Sequence, residues 1–196
     1  MRIFTPLFIA VTLAVPMLAA PQRASQTDSD HLRDKIAAIV TNGAASRPTS
    51  RRTQVLEREL NAYLVHELKE QIPVGVVDPV ITIVGDGRVT GRATVDLDAV
   101  RTSQKRGLFD PMNLLTGRLP VSAAGVLTTK DGVGQFTLES ADISGVPVPK
   151  RVLQELVSYY SRSPERPDGI GMEDPFELPA AIRQIDVGKG QAVVVQ

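Results

Sequence analysis

RVTGRATVDLD, the stretch from Arg88 to Asp98, decides the fold because its residues alternate between two kinds of side chain. Successive side chains of a β-strand point to opposite faces, so this alternation predicts one apolar and one polar face. The apolar face comprises the odd positions Val89, Gly91, Ala93, Val95 and Leu97. At about 3.3 Å per residue the strand would extend about 35 Å, which exceeds the usual length of about five or six residues. A long strand of this kind requires other elements to cover its apolar face.

The flanking segments predict an antiparallel sheet around this strand. The apolar run Val80–Val84 precedes it, and the intervening Gly85-Asp86-Gly87 is typical of a hairpin turn. A second alternating strand, Leu119–Thr129, is followed by Lys130-Asp131-Gly132, which is another turn signal. In the strand after that turn the apolar residues change from even to odd positions. Because a shift of one residue exchanges the two faces of a strand, we predict a β-bulge near Ser140.

Two amphipathic helices are predicted to cover the sheet. The first spans Thr53–Ile72, where apolar residues recur every four positions. The second follows Pro149, a residue suited to the first position of a helix. Their apolar stripes contain Leu56, Leu60, Leu64, Leu68 and Ile72 in the first helix, and Val152, Leu153, Leu156, Val157 and Tyr160 in the second. The sequence therefore predicts an α+β fold, with a long curved antiparallel sheet wrapped on one long amphipathic helix and a second, shorter helix.

The amino terminus indicates export. Arg2 precedes an uncharged, mostly apolar run that ends in small residues, and this pattern is typical of a secretory signal peptide. We therefore interpret residues 1–20 as a signal peptide or a retained anchor. Residues 21–52 read as a flexible lead-in with a short helix near His31–Val40, and residues 53–196 as one α+β domain. With no Cys for lipidation or disulfides, the expected location is the periplasm or an equivalent envelope space.

Composition excludes several classes of function. The 22 basic and 22 acidic residues balance, whereas nucleic-acid binding needs a concentrated basic surface. Aromatic residues make up only 4% of the chain, which leaves few stacking platforms for single strands. The absence of cysteine excludes a thiol nucleophile, and the presence of only two histidines argues against a histidine-based triad. We therefore predict no nucleic-acid partner, no catalytic residues and no cofactor.

Four motifs are better explained by structure than by chemistry. Gly85-Asp86-Gly87 would require a following helix to bind a dinucleotide, but a strand follows it. His66-Glu67-Leu68-Lys69-Glu70 lacks the second histidine of a zinc-protease helix. Asp96 and Asp98 share a strand face without further obvious ligands. Glu139 and Asp142 could act as paired carboxylates only if the fold brought them together. No metal site is predicted.

The small residues on the apolar face allow two interpretations. Gly and Ala could permit close approach of a helix or bending of a long strand. Alternatively, they could leave a hollow between the sheet and the helices, suited to an acyl chain or another flat apolar ligand. The second interpretation gives these candidate ligand-binding residues: Leu60, Leu64, Val89, Gly91, Ala93, Val95, Val121, Ala123, Gly125, Leu127, Phe136, Leu138, Leu153 and Leu156.

Residues 53–196 resemble the tubular lipid-binding (TULIP) superfamily and its small bacterial envelope relatives in the order of their elements. The matching stretches are ERELNAYL (Glu57 to Leu64), RVTGRATVDLD (Arg88 to Asp98), ISGVPVP (Ile143 to Pro149) followed by VLQEL, and FELPAAIRQIDV (Phe176 to Val187). The resemblance implies a ligand class, lipid acyl chains held between helix and sheet. It carries over no functional residue.

Three functional hypotheses follow. The leading one is an exported protein that binds a lipid or another apolar small molecule between sheet and helix. The second is a non-catalytic interaction module with a solid core, which engages an envelope protein partner through a sheet edge or residues 99–117. The third, an enzyme acting on lipids, would need polar groups converging at the mouth of a groove, and the sequence identifies none.

Overall fold

The computed structural model describes residues 25–103, 116–160, 162, 167–169 and 171–196. It has an α+β fold, as predicted, in which every paired strand is antiparallel. The helices are α1 (Gln26–Gly43), α2 (Glu57–His66), α3 (Leu97–Ser103) and α4 (Lys150–Tyr160). The strands are β1 (Arg52–Leu56), β2 (Val76–Gly85), β3 (Arg88–Asp96), β4 (Arg118–Lys130), β5 (Val133–Ile143), β6 (Val146–Pro147), β7 (Phe176–Glu177), β8 (Gln184–Gly188) and β9 (Gln191–Val195).

The larger sheet has the strand order β2-β3-β4-β5-β6, and β7 pairs with β5. Its register confirms the predicted apolar face, because Gly91, Ala123 and Ala141 are paired across β3, β4 and β5. The predicted bulge is also present. Ala124 pairs with Ser140 while Gly125 pairs with Leu138, so Glu139 is the extra residue on β5.

The predicted hairpin turns connect these strands. Asp86-Gly87 joins β2 to β3, and Asp131-Gly132 joins β4 to β5. All four residues have φ between 50° and 83°. Two consecutive positive φ values define the type I′ turn, whose twist matches that of antiparallel strands, and Asp-Gly is a favoured sequence for it. These short turns fix the register of the larger sheet.

The predicted long helix Thr53–Ile72 is wrong. Arg52–Leu56 instead forms strand β1, which pairs with β9 in a smaller sheet of order β1-β9-β8. Helix α2 starts only at Glu57 and ends at His66. Leu68 and Ile72, the last two members of the predicted stripe, therefore lie beyond it. The backbone of residues 52–56 bonds to a strand more than 130 residues later in the chain, and a local four-residue spacing cannot reveal such a partner.

Helix α2 lies along the free edge of β2. The Asn61 side chain donates to the Ile81 carbonyl at 2.7 Å and accepts from the Ile81 N–H at 2.8 Å. The Glu57 carboxylate accepts from the Ile83 N–H at 2.7 Å. These side chains satisfy backbone groups that an exposed edge strand would leave open to another chain. Helix α2 thus covers one edge of the larger sheet. The sheet does not wrap around one long helix, as the sequence had predicted.

Helix α1 packs beside α2 and is longer than the short helix predicted at His31–Val40. Ile39 of α1 contributes to a small core with Ile182 and Val194, which ties α1 to the smaller sheet. The buried Gln196 side chain strengthens this connection by donating to the carbonyls of Ile39 and Ala180 at 2.8 and 2.7 Å.

The predicted signal peptide lies outside the described residues. Within the part of the chain that is described, no helix is both long and apolar enough to cross a bilayer.

The two sheets meet at the hairpin end of the larger one. Thr129 Oγ1 donates to the Ile185 carbonyl at 3.1 Å and accepts from the Ile185 N–H at 2.8 Å. The Gly190 N–H donates to the Ile83 carbonyl at 2.8 Å. This junction closes one end of the apolar face and leaves its middle and far end for the site described next.

Candidate apolar binding groove

The apolar face of β3, β4 and β5 forms the floor of a groove that consists of two cavities. Their volumes are about 450 and 950 Å³. Both cavities are lined by Ala123, Ala141 and Leu153, so they lie next to each other on the same sheet. Leu64 of α2 lines one side, and Leu153 of α4 lies over the centre. We call this feature the groove and refer to its narrow and wide halves.

The narrow half, of about 450 Å³, is almost wholly apolar. Its floor includes Gly91, where an added Cβ atom would meet no other atom within 4 Å. Arg92, Ser122 and Asp142 also border it, but they alternate with the floor residues and so belong to the opposite face of the sheet. On that face the Ser122 hydroxyl donates to Asp142. The apolar residues of the lining are Leu64, Pro79, Ile81, Gly91, Ala93, Val121, Ala123, Ala141, Ile143, Val148 and Leu153, together with Val80, which pairs with Arg92 and shares its face.

The wide half, of about 950 Å³, lies between β5, α4 and the segment before β7. Its apolar lining comprises Ala123, Phe136, Leu138, Ala141, Leu153, Val157, Met172, Pro175 and Phe176. Phe176 is 44% exposed and Val157 is 37% exposed, so apolar side chains reach the mouth of this half. Among the described residues, Asp174 and Glu177 are the charged members of its lining, and Glu177 pairs with Val133 and so belongs to the face opposite Phe176. The wide half therefore combines an apolar wall with a polar margin.

Both interpretations of the small residues apply, each at different positions. A Cβ atom at Gly125 would lie 2.3 Å from Cζ of Phe136, and one at Gly134 would lie 2.7 Å from the ring of Phe176. At these two glycines the missing side chain makes room for an aromatic ring. At Gly91, in contrast, the space above the backbone is open. The small residues thus make room for packed aromatic rings near the hairpin end, and they leave a hollow in the middle of the sheet.

Eight of the predicted ligand-binding residues line the groove: Leu64, Gly91, Ala93, Val121, Ala123, Phe136, Leu138 and Leu153. Five others do not line it: Leu60, Val89, Val95, Gly125 and Leu127. Val89 pairs with the buried Ile83 near the sheet junction, and Gly125 is covered by Phe136. The side chain of Leu156 lies outside the described residues.

Several lining residues were absent from the sequence-based set. Ala141 and Ile143 continue the predicted alternation of β5 after its bulge, so the pattern contained a signal for them. Met172 and Asp174 lie in a loop without periodicity, where no local pattern indicates what they contact. Met172 is held in place because its N–H donates to Gln154 Oε1 at 2.8 Å.

The carboxylates considered as catalytic or metal ligands have structural partners. Asp96 accepts from the Ala99 N–H at 3.0 Å and from the Arg118 guanidinium at 3.1 Å, and these bonds lower its pKa. Glu139 accepts two hydrogen bonds of 2.8 Å from Arg88, which lower the pKa of Glu139. Asp98 accepts from the Gly117 N–H at 3.1 Å. Among the described residues, no group of three His, Asp or Glu side chains could hold a metal ion.

Comparison of the chain with protein-family models, with curated proteins and with solved structures finds no match to any of them.

Proposed function

We propose that this protein binds a lipid or another apolar small molecule in the groove. The observation that carries the proposal is the open backbone at Gly91, in the floor of the apolar groove. Soluble proteins rarely expose large contiguous apolar surfaces unless those surfaces are used. Ligand sites are typically concave, mostly apolar and about 300–1,000 Å³ in volume, with few polar groups. Both halves of the groove fall within this range.

The proposal includes export to the envelope, which is supported by the apolar run after Arg2. The resemblance to tubular lipid-binding proteins supports the same ligand class. Single long-chain amphiphiles released by or destined for a membrane would be suitable occupants, because their chains need shielding from water.

Binding can be tested with N-phenyl-1-naphthylamine, an uncharged fluorophore whose emission rises in apolar surroundings. We expect saturable binding to the purified protein, and native mass spectrometry of the same preparation should reveal any lipid carried through purification. No saturable binding and no co-purified lipid would contradict the proposal. That result would favour an interaction module that engages an envelope protein.

The variant Gly91→Phe tests whether the probe binds in the groove. Since Gly91 has ordinary strand geometry and open space above it, a phenyl ring should fill the narrow half without displacing the backbone. We expect at least a tenfold loss of probe affinity. The matched control is Thr137→Phe, which adds the same ring at an exposed position on β5, on the opposite face of the sheet. If both variants bind the probe like the parent protein, the groove is not the site.

A further inference from the structure

Helix α4 lies over the groove but does not fill it. Leu153 lines both halves and Val157 lines the wide half, so the helix faces the groove with apolar side chains. The wide half beside α4 nevertheless measures about 950 Å³, and Val157 stays 37% exposed. Side chains that face a void lack the contacts that close packing would give them. The packing under α4 therefore holds the helix in place less firmly than a filled interior would.

The start of α4 is fixed to the larger sheet. Strand β6 pairs with the end of β5, where Val146 lies opposite Ile143. The Val148 N–H then donates to the Ala141 carbonyl at 2.9 Å. Pro149 follows directly, and a proline has no N–H with which to continue the pairing. The junction Val148–Pro149 is therefore the point about which α4 can turn while β6 stays on the sheet.

Two contacts join α4 to the loop of residues 171–175. Gln154 Oε1 accepts from the Met172 N–H at 2.8 Å, and Lys150 Nζ pairs with the Glu173 carboxylate at 3.5 Å between exposed side chains. We call these two contacts the latch. A neutral hydrogen bond and an exposed ion pair each stabilise a structure only modestly. The latch can therefore break and re-form without unfolding the sheet.

We propose that α4 is a lid, which turns about Val148–Pro149 to admit an apolar chain and closes onto that chain once it is bound. This inference rests on the proposed lipid-binding function and describes how access to the same groove is controlled. A ligand shifts a conformational equilibrium only if it interacts differently with the two states. A chain in the groove contacts Leu153 and Val157 when the lid is closed and loses them when it is open, so binding favours the closed position.

The movement can be measured as a distance between two spin labels, because the chain contains no cysteine and labels attach only where one is introduced. Glu155→Cys places one label at an exposed position of α4, and Thr137→Cys places the other on the face of β5 opposite the groove. Double electron–electron resonance is recorded with and without 1-dodecanol, whose binding is checked by displacement of N-phenyl-1-naphthylamine. We expect dodecanol to narrow the distance distribution and to shorten its mean by at least about 2 Å.

The matched control pairs Thr137→Cys with Ala37→Cys. Ala37 is exposed on α1, a helix that contributes none of the described residues lining the groove. Dodecanol should leave this distance unchanged. A change of equal size in both pairs would mean that the whole molecule deforms, and it would overturn the assignment of α4 as the lid.

The variant Gln154→Ala tests the latch through the kinetics of binding. If the lid must open before a ligand enters or leaves, loss of the Met172 bond should raise both rate constants for N-phenyl-1-naphthylamine in stopped-flow fluorescence. We expect an increase of at least about twofold, the factor by which a weak neutral hydrogen bond shifts an equilibrium. Arg151→Ala is the control on the same helix, since Arg151 pairs with Glu155 of α4 itself and should leave both rates unchanged.

The outcomes distinguish the two proposals. A label distance that is unchanged or longer with dodecanol overturns the lid while ligand binding stands. Parent-like rates in Gln154→Ala also overturn it, because the contact between α4 and the loop then has no influence on entry. If dodecanol does not displace the probe from the parent protein and the probe itself does not bind saturably, the proposed function fails.

Discussion

Gly91 and Gly125 lie on adjacent strands and on the same face of the larger sheet, yet their surroundings are opposite. An added Cβ atom at Gly91 would enter open space, whereas one at Gly125 would meet the Phe136 ring and the Thr137 carbonyl at 2.3 and 2.7 Å. The alternating pattern predicts that both face inward. It cannot predict which one is covered, because the covering ring belongs to another strand.

This difference predicts opposite effects of one substitution. Gly125→Ala should lower the free energy of unfolding by about 1–3 kcal/mol, because the methyl group forces Phe136 or the backbone to move. Gly91→Ala should raise it by about 0.5–1 kcal/mol, since alanine restricts the unfolded chain and fits the native strand conformation. Urea unfolding of the two variants gives both values. Equal effects at the two positions would contradict the assigned packing.

At the scale of whole elements, the hairpins could be predicted and the first long helix could not. Asp86-Gly87 and Asp131-Gly132 determine their turns through local backbone preferences, so adjacent residues suffice to identify them. Leu56 shows the opposite case. Its spacing from Leu60 fits a helix, but residues 52–56 form a strand that pairs with β9. This pairing joins distant parts of the chain. Non-local pairing overrides local propensity here.

Helices α1 and α2 are joined by a buried ion pair with a definite dependence on pH. Glu59 is only 3% exposed, and its carboxylate accepts from Lys35 Nζ at 2.6 Å and from the Leu56 N–H at 3.0 Å. Burial raises the pKa of Glu59, but these hydrogen bonds outweigh it and hold the pKa below its ordinary value of 4.5. A carboxylate with a lowered pKa in the folded state stabilises that state above its unfolded pKa.

The substitution Glu59→Gln should therefore cost about 2–4 kcal/mol of unfolding free energy at pH 7, because Lys35 loses its buried partner. This cost should shrink as the pH falls below about 4.5 and through the lowered pKa of the folded state, where the parent protein also loses the charge. Unfolding titrations between pH 7 and pH 3 measure it. The control Glu67→Gln breaks an exposed pair with Arg33 and should change stability at pH 7 by less than about 0.5 kcal/mol. A cost for Glu59→Gln that is constant over this range would contradict the assignment.

Across the whole molecule, the groove exists because the smaller sheet meets the larger one only at its hairpin end and leaves the rest of the apolar face uncovered. The alternation of Arg88–Asp98 predicts the floor residues Gly91 and Ala93. The alternation of Leu119–Thr129 predicts Ala123, which pairs with Gly91. The walls of the wide half come from Met172 and Asp174, which lie in a non-periodic loop, and from Phe176, which follows it and pairs with β5 only through a tertiary contact. A local pattern can therefore predict a floor, while the capacity and charge of a site depend on segments that no pattern connects to it.

The junction between the two sheets predicts that they unfold as one unit. Thr129 supplies both a donor and an acceptor to Ile185, and Thr129→Val keeps the shape of the side chain while leaving two backbone groups of Ile185 without these partners. We expect a loss of about 1–3 kcal/mol. The neighbouring control Thr128→Val changes an exposed residue and should alter stability by less than about 0.5 kcal/mol.

Hydrogen exchange of the amides in β3 and β9 shows whether the loss is shared. The most protected amides of each sheet exchange through global unfolding when a domain is cooperative, so their protection should fall by the same factor in Thr129→Val. Contacts beyond Thr129 also bind the sheets together, among them the Gly190 N–H bond to the Ile83 carbonyl and the Gly87 N–H bond to the Val187 carbonyl. If only β8 and β9 lost protection while β3 kept its own, the smaller sheet would be an independent unit. The floor of the groove would then persist without it.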